Sequence, residues 1–140
     1  DLGRPPHLDL DRELKVQKLC RQAIAQGLLV SAHDLSDGGL LVAVAESCLL
    51  ASGDPIGAKI KVNLDGCRRD SVYFGESQSR VLVSVAPDKL NLLTELASEA
   101  GVPAAVLGRV GGDLLQVDDT ISLTVAELKQ SFEGALSWRR

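Results

Sequence analysis

Two short strings hold the residues of this chain whose types and spacing could do chemistry. The first, Ser31-Ala32-His33-Asp34-Leu35-Ser36-Asp37-Gly38-Gly39-Leu40, sets an imidazole, two carboxylates, hydroxyls and a glycine pair between two apolar segments. Glycines let a backbone approach a ligand closely, and the first amides of a helix carry the positive end of its dipole. Unpaired amides at Gly38, Gly39 and Leu40 would therefore hold a phosphate. Ser36 can cap the helix or donate to a phosphate oxygen, and Asp34 can bind a Mg²⁺ ion that neutralises the phosphates. A plain structural reading fits the same residues, with Ser36 or Asp37 as N-cap, Gly38-Gly39 as a turn and His33-Asp34 as a polar strand end. On this string alone both readings stand.

The second string is Phe74-Gly75-Glu76-Ser77-Gln78-Ser79-Arg80, running from a glycine turn into a strand. Glu76 can accept from sugar hydroxyls, Ser77 and Gln78 can bond a ligand amide or phosphate, and Arg80 can pair with a carboxylate or phosphate through two parallel bonds. Strand-edge polarity with Arg80 in a structural ion pair is the alternative. His33 has an imidazole suited to general-base work near neutral pH, or to bonding loop backbone. His33, Asp34 and Ser36 lie too close in sequence to make a nucleophile triad, so no catalytic residue is assigned.

The elements that must position these strings follow from periodicity. Asp9 to Gln26 carries Leu10, Leu14, Val16, Leu19, Cys20, Ala23 and Ile24 at near-helical spacing, with Asp9 or Asp11 as cap and Gly27 as stop. Leu28-Leu29-Val30 predicts a short buried strand, and Gly38 to Ser52 a helix burying Leu40, Leu41, Val44, Ala45, Cys48 and Leu49. Ala58-Lys59-Ile60-Lys61-Val62 alternates as a strand with one wet face. A loop rich in Asp, Gly and Arg comes next, then a more fully buried strand over Arg80 to Val85. Pro87-Asp88 starts a helix with Leu90, Leu93, Leu96 and Ala97 inward, closed by Gly101. Ala104 to Val110 predicts a strand, Gly111-Gly112-Asp113 a hairpin turn into Leu114 to Val117, and Ile121 to Leu123 an edge strand. Thr124-Val125-Ala126-Glu127 is a capping box opening a last helix with Val125, Leu128 and Phe132 inward. The expected fold class is α/β (α+β), a layered domain with a mixed sheet packed by helices. Asp1 to Leu8, with Pro5-Pro6, is expected to be a tail or linker, and residues 9–140 a single domain.

Composition narrows the function classes. The 140 residues, 45% apolar and 24% charged, suit one globular domain. A net charge of −4 with one Trp, one Tyr and two Phe lacks the basic stripe and stacking platforms of a nucleic-acid surface. No run approaches the length of a membrane span, and no signal peptide is visible. Cys20, Cys48 and Cys67, an odd number at wide spacing, suit reduced thiols in a cytoplasm better than a zinc cage. Cys20 and Cys48 are expected as small core residues.

Taken together, the His-Asp-x-Ser-Asp-Gly-Gly and Glu-Ser-Gln-Ser-Arg strings resemble the C-terminal part of the phosphoribosylformylglycinamidine synthases, in the shorter bacterial form whose glutaminase is a separate subunit. The resemblance covers nearly the whole chain after Leu8. It implies the second C-terminal domain of an ATP-dependent ligase, of the kind shared with aminoimidazole ribonucleotide synthetase. That ligase makes formylglycinamidine ribonucleotide from formylglycinamide ribonucleotide and glutamine-derived ammonia, in de novo purine biosynthesis. It further implies Asp34 as a Mg²⁺ ligand, Ser36, Gly38 and Gly39 at the nucleotide, and Glu76, Ser77 and Gln78 facing the substrate. The implied partners are the rest of the synthetase chain, the glutaminase subunit and a small accessory subunit. The isolated domain, lacking the family's N-terminal domains, is expected to be inactive. Rival readings are a related kinase or synthetase, such as thiamine-monophosphate kinase or selenophosphate synthetase, and an assembly domain with a vestigial nucleotide site.

Overall fold

The computed structural model describes residues 7–50 and 53–135. Its contacts fall into two compact units, Asp1–Ala43 with Asp70–Val106, and Val44–Arg69 with Leu107–Arg140. Of the expected tail, His7 and Leu8 are exposed and the rest lies outside the described residues.

In the first unit, helix α1 (Leu10–Ala25) starts where expected, with the Asp9 carboxylate accepting from the Arg12 amide at 3.0 Å. Gly27, at φ +63, ends it, and the Leu28 amide returns to the Ala23 carbonyl at 2.9 Å. Helix α4 (Leu90–Glu99), entered through a 3₁₀ turn at Pro87–Lys89, stops the same way: Gly101 has φ +65 and the Val102 amide bonds the Ala97 carbonyl. α1 and α4 touch, with Val16, Leu19, Ala23 and Ala97 buried. Leu10, Leu14 and Ile24, expected inward, are more than half exposed, because apolar residues ring α1 too widely for one neighbour to cover.

Strand β1 (Leu29–Asp34) pairs antiparallel with β3 (Val81–Val85) in a two-stranded sheet. The strand is longer and wetter than Leu28 to Val30 suggested. It runs through Ser31 to Asp34, and Val30, at a break in the register, is 74% exposed. A sheet of two strands covers itself poorly, so β3 is only partly buried. Helix α2 (Gly39–Leu49) begins in this unit and continues in the other. It is shorter than expected at both ends, and Ser52 lies outside the described residues.

The second unit is built on a mixed sheet in the order β4 (Gly108–Val110), β2 (Ala58–Ile60), β5 (Leu114–Val117), β6 (Ile121–Thr124). β2 and β5 run parallel and the other pairs antiparallel. The hairpin expected between β4 and β5 does not form. β2 lies between them, and Gly57 bonds the connection on both sides, its amide to the Gly112 carbonyl and its carbonyl to the Gly111 amide, each at 2.8 Å. β2 stops at Ile60, two residues early, and β4 starts four residues later than Ala104. Ala58, Ile60, Leu115 and Val117 form the buried face and Lys59 is exposed, as the alternation implied, with Lys61 exposed just past the strand. Cys48 is buried and Cys20 half-buried, and burial raises both thiols above the ordinary cysteine range.

Gly108 lies against the β2 backbone, where a Cβ would overlap the Lys59 carbonyl oxygen and sit 2.8 Å from Ile60 Cα. Gly108→Ala is therefore expected to open the β2–β4 pairing and lower stability by about 3 kcal/mol, read from chemical denaturation.

Helix α5 (Val125–Gly134) opens on the expected capping box: the Glu127 amide donates to Thr124 Oγ1 at 3.1 Å and the Thr124 amide to Glu127 Oε2 at 2.8 Å. Val125 is buried, but Leu128 is only half-buried and Phe132, expected inward, is 49% exposed. The Thr124 amide and then its hydroxyl hold the Glu127 carboxyl below the usual glutamate range. A depressed folded-state value stabilises the fold at pH above the ordinary glutamate range, and that stabilisation is lost as pH falls through the lowered value. The stability advantage of the native chain over Glu127→Gln is expected to shrink on acidification, a trend visible in thermal melts from neutral to acid pH.

Among the described residues, no helix is long and apolar enough to cross a membrane.

Candidate functional site

Antiparallel pairing of β1 with β3 brings the two strings together, because the end of one strand lies beside the start of the other. Asp34 is opposite Val81, and the ladder extends one step further as the Leu35 amide donates to the Arg80 carbonyl at 3.1 Å. Leu35 is buried there. The chain then turns through Ser36 to Gly39, closed by the Gly39 amide on the Ser36 carbonyl at 3.1 Å, with Gly38 at φ +79 and Gly39 at φ +69. Backbone of this handedness suits glycine.

The strings meet directly at this turn. The Gly38 amide donates to Glu76 Oε1 at 2.8 Å. Gly39 is buried, and a Cβ on it would lie 2.7 Å from the Phe74 carbonyl carbon and 2.9 Å from the Gly75 oxygen. The expected free amides at Gly38 and Gly39 are therefore both engaged inside the protein. Helix dipole and carboxylate charge favour the Glu76 contact, which explains why an internal group takes the place foreseen for a ligand.

Internal bonds also hold the second string. Arg80 Nη1 donates to the Gly75 carbonyl at 3.2 Å and reaches Ser77 Oγ at 3.4 Å, and partial burial lowers the guanidinium's basicity. Arg80 thus follows the structural alternative, through hydrogen bonds rather than an ion pair. Ser79, at φ +62, donates its hydroxyl to Glu13 Oε2 at 2.6 Å, while Gln17 Nε2 donates to Glu13 Oε1 at 2.7 Å. Ser79 first, then Gln17, holds the Glu13 carboxyl below the usual range. Glu76, Ser77 and Gln78 are exposed beside this framework.

Asp34 stands at the open end of β1 with its side chain 77% exposed. His33 Nδ1 lies 2.6 Å from the Asp34 carbonyl oxygen and 3.9 Å from Asp34 Oδ1, so the imidazole bonds backbone at the strand end rather than in a loop. Among the described residues, no three His, Cys, Asp or Glu side chains gather into a metal cage. An exposed single carboxylate does fit Mg²⁺, which takes one or two protein carboxylates plus phosphates and water. For a nucleotide the fit is partial: exposed Ser36 has an available position, whereas the Gly38 and Gly39 amides do not.

Two features escaped the sequence reading. Helix α3 (Arg69–Phe74), inside the stretch expected as loop, ends with the Gly75 amide on the Ser71 carbonyl at 3.0 Å and carries the backbone that covers Gly39. Its signal was the absence of glycine and proline between Gly66 and Gly75. The Glu13–Ser79 link joins residues 66 apart and had no local signal.

The family described as AIR synthase related protein, C-terminal domain, matches residues 2–118. The phosphoribosylformylglycinamidine synthase subunit PurL of Anaeromyxobacter dehalogenans (strain 2CP-C) is 43% identical over 143 residues, which cover 97% of this chain and 19% of that protein. The solved structure of PurLQS from Thermotoga maritima has a TM-score of 0.74 at 23% identity, covering 86% of this chain and 22% of that one. T. maritima PurL complexed with ATP has a TM-score of 0.70 at 24% identity, covering 81% and 21%. The chain thus spans about a fifth of the length of these relatives. The structural likeness confirms the mixed α/β fold, and the family match over most of the sequence settles descent: the chain belongs to the AIR synthase related protein, C-terminal domain, family.

Proposed function

We propose that this chain is one domain, the second C-terminal one, of a phosphoribosylformylglycinamidine synthase. That ligase acts in purine biosynthesis, using ATP and glutamine-derived ammonia to convert formylglycinamide ribonucleotide to its amidine. The observation that carries the reading is the junction of the two strings, where the Gly38 amide bonds Glu76 and where Asp34, Ser36, Ser77 and Gln78 are exposed. Similarity to relatives bearing the synthase name, one of them solved with ATP, supports it.

In this role Asp34 holds Mg²⁺, Ser36 contacts the nucleotide with the Gly38-Gly39 turn beneath it, and Glu76, Ser77 and Gln78 border the substrate. Bound Mg²⁺ supplies neutralisation of phosphate charge. The remainder of the synthetase chain completes the site, with glutaminase and small accessory subunits as further partners in the cytoplasm. These 140 residues alone turn over no substrate. Mg²⁺-dependent ATP binding, turnover and stability of the full-length protein, compared with Asp34→Ala and Ser36→Ala, test the assignment: loss of turnover marks a catalytic site.

A second reading, an assembly domain with a vestigial nucleotide site, is favoured by the engagement of the Gly38 and Gly39 amides within the fold. It expects those variants to lose stability while turnover is retained.

A further inference from the structure

We infer that Glu76 is a positioning residue: its carboxylate fixes the Gly38 amide, and through that turn sets Asp34 and Ser36, instead of gripping the ligand itself. The inference rests on the nucleotide-site reading above and narrows it. Glu76 Oε1 accepts the Gly38 amide at 2.8 Å, a side-chain bond that links the two strings directly. The turn is then held at both ends, at Leu35 by its amide on the Arg80 carbonyl and at Gly39 by its amide on the Ser36 carbonyl. Only Ser36 and Asp37 lie between Leu35 and Gly38, so little freedom remains once Gly38 is fixed.

Glu76 is itself well placed to do this. Arg80 grips the preceding carbonyl of Gly75, Ser79 is tied to Glu13, and the Phe74–Gly75 backbone rests on Gly39. The acceptor therefore comes from a segment held on three sides, and a carboxylate at the start of a helix is favoured by the dipole. A ligand contact through Oε1 would instead require this oxygen to leave the Gly38 amide and release the turn.

The test uses the full-length protein that carries this sequence, with Glu76→Gln and Glu76→Ala, and two readouts: Mg²⁺–ATP binding and amide hydrogen exchange over residues 36–40, with exchange in α1 as the folding control. Glu76→Ala is expected to speed exchange in the turn and weaken Mg²⁺–ATP binding about tenfold. Glu76→Gln, whose side-chain oxygen still accepts from Gly38, is expected to restore both to within about threefold. Should the alanine variant fail to fold, Glu76→Asp, which keeps the charge but loses reach, is expected to show the same loss. Glutamine as damaging to binding as alanine, with exchange still slow, overturns the inference, since the charge would then touch the ligand. Unchanged exchange and binding in Glu76→Ala overturns it as well. Asp34→Asn run alongside separates the two claims: if it leaves Mg²⁺–ATP binding intact while the exchange results come out as expected, the nucleotide reading fails and the lock on the turn stands.

Discussion

Gly39→Ala is expected to destabilise the protein by about 3 kcal/mol or more and to lower Tm by about 10 °C. Two effects combine. A Cβ at φ +69 meets the following carbonyl, which disfavours the left-handed region for every residue but glycine. The same Cβ lies 2.7 Å from the Phe74 carbonyl carbon and 2.9 Å from its Cα, and backbone cannot rotate away as a side-chain tip can. Gly27→Ala separates the two. Gly27 has φ +63 but nothing within 4 Å of where an alanine methyl would stand, so only the conformational part, about 1–2 kcal/mol, is expected there. Equal losses at the two positions in denaturant titrations would show that the 74–75 backbone does not press on Gly39.

Asp34→Asn is expected to weaken Mg²⁺-dependent nucleotide binding by the full-length protein on the order of 100-fold, since removing even an outer partner of a metal ligand costs about 10–100-fold. Fold stability should barely change. The side chain is 77% exposed at a strand end, and asparagine keeps its shape while removing the charge that attracts a hard cation. Isothermal titration with Mg²⁺–ATP reads the first effect and a thermal melt the second. A large drop in Tm with binding unchanged would assign Asp34 to the framework and remove the metal reading.

The parts of the fold governed by neighbours in sequence were legible. Asp9, Gly27 and the Thr124–Glu127 box all mark helix ends as their chemistry requires, and the alternation about Lys59 marked the wet side of β2. The parts governed by distant neighbours were not. Nothing near Gly111 to Asp113 says that β2 will lie between β4 and β5; a glycine turn between two apolar runs reads as a hairpin whichever strand intervenes. Leu10, Leu14 and Ile24 share helical spacing with Val16, Leu19 and Ala23, and only the position of α4 tells which set is covered.

For the site, both strings could be picked out by residue type, and their adjacency could not be. That adjacency depends on the β1–β3 register, and with it came the internal partners of the Gly38 and Gly39 amides. Glycine and helix start together announce an anion site, but sequence cannot show that Glu76, 38 residues away, occupies it.

The order of strands in the second sheet has a consequence for synthesis. β2 finds both its neighbours, β4 and β5, only after Gly108 to Val117 have been made. At about 5–20 residues per second, the roughly fifty intervening residues leave the ribosome over several seconds. Through that interval the Ala58–Ile60 edge has no native partner, so the nascent chain is most open to mispairing then, and the closing of this sheet, rich in long-range contacts, is the expected slow step of folding.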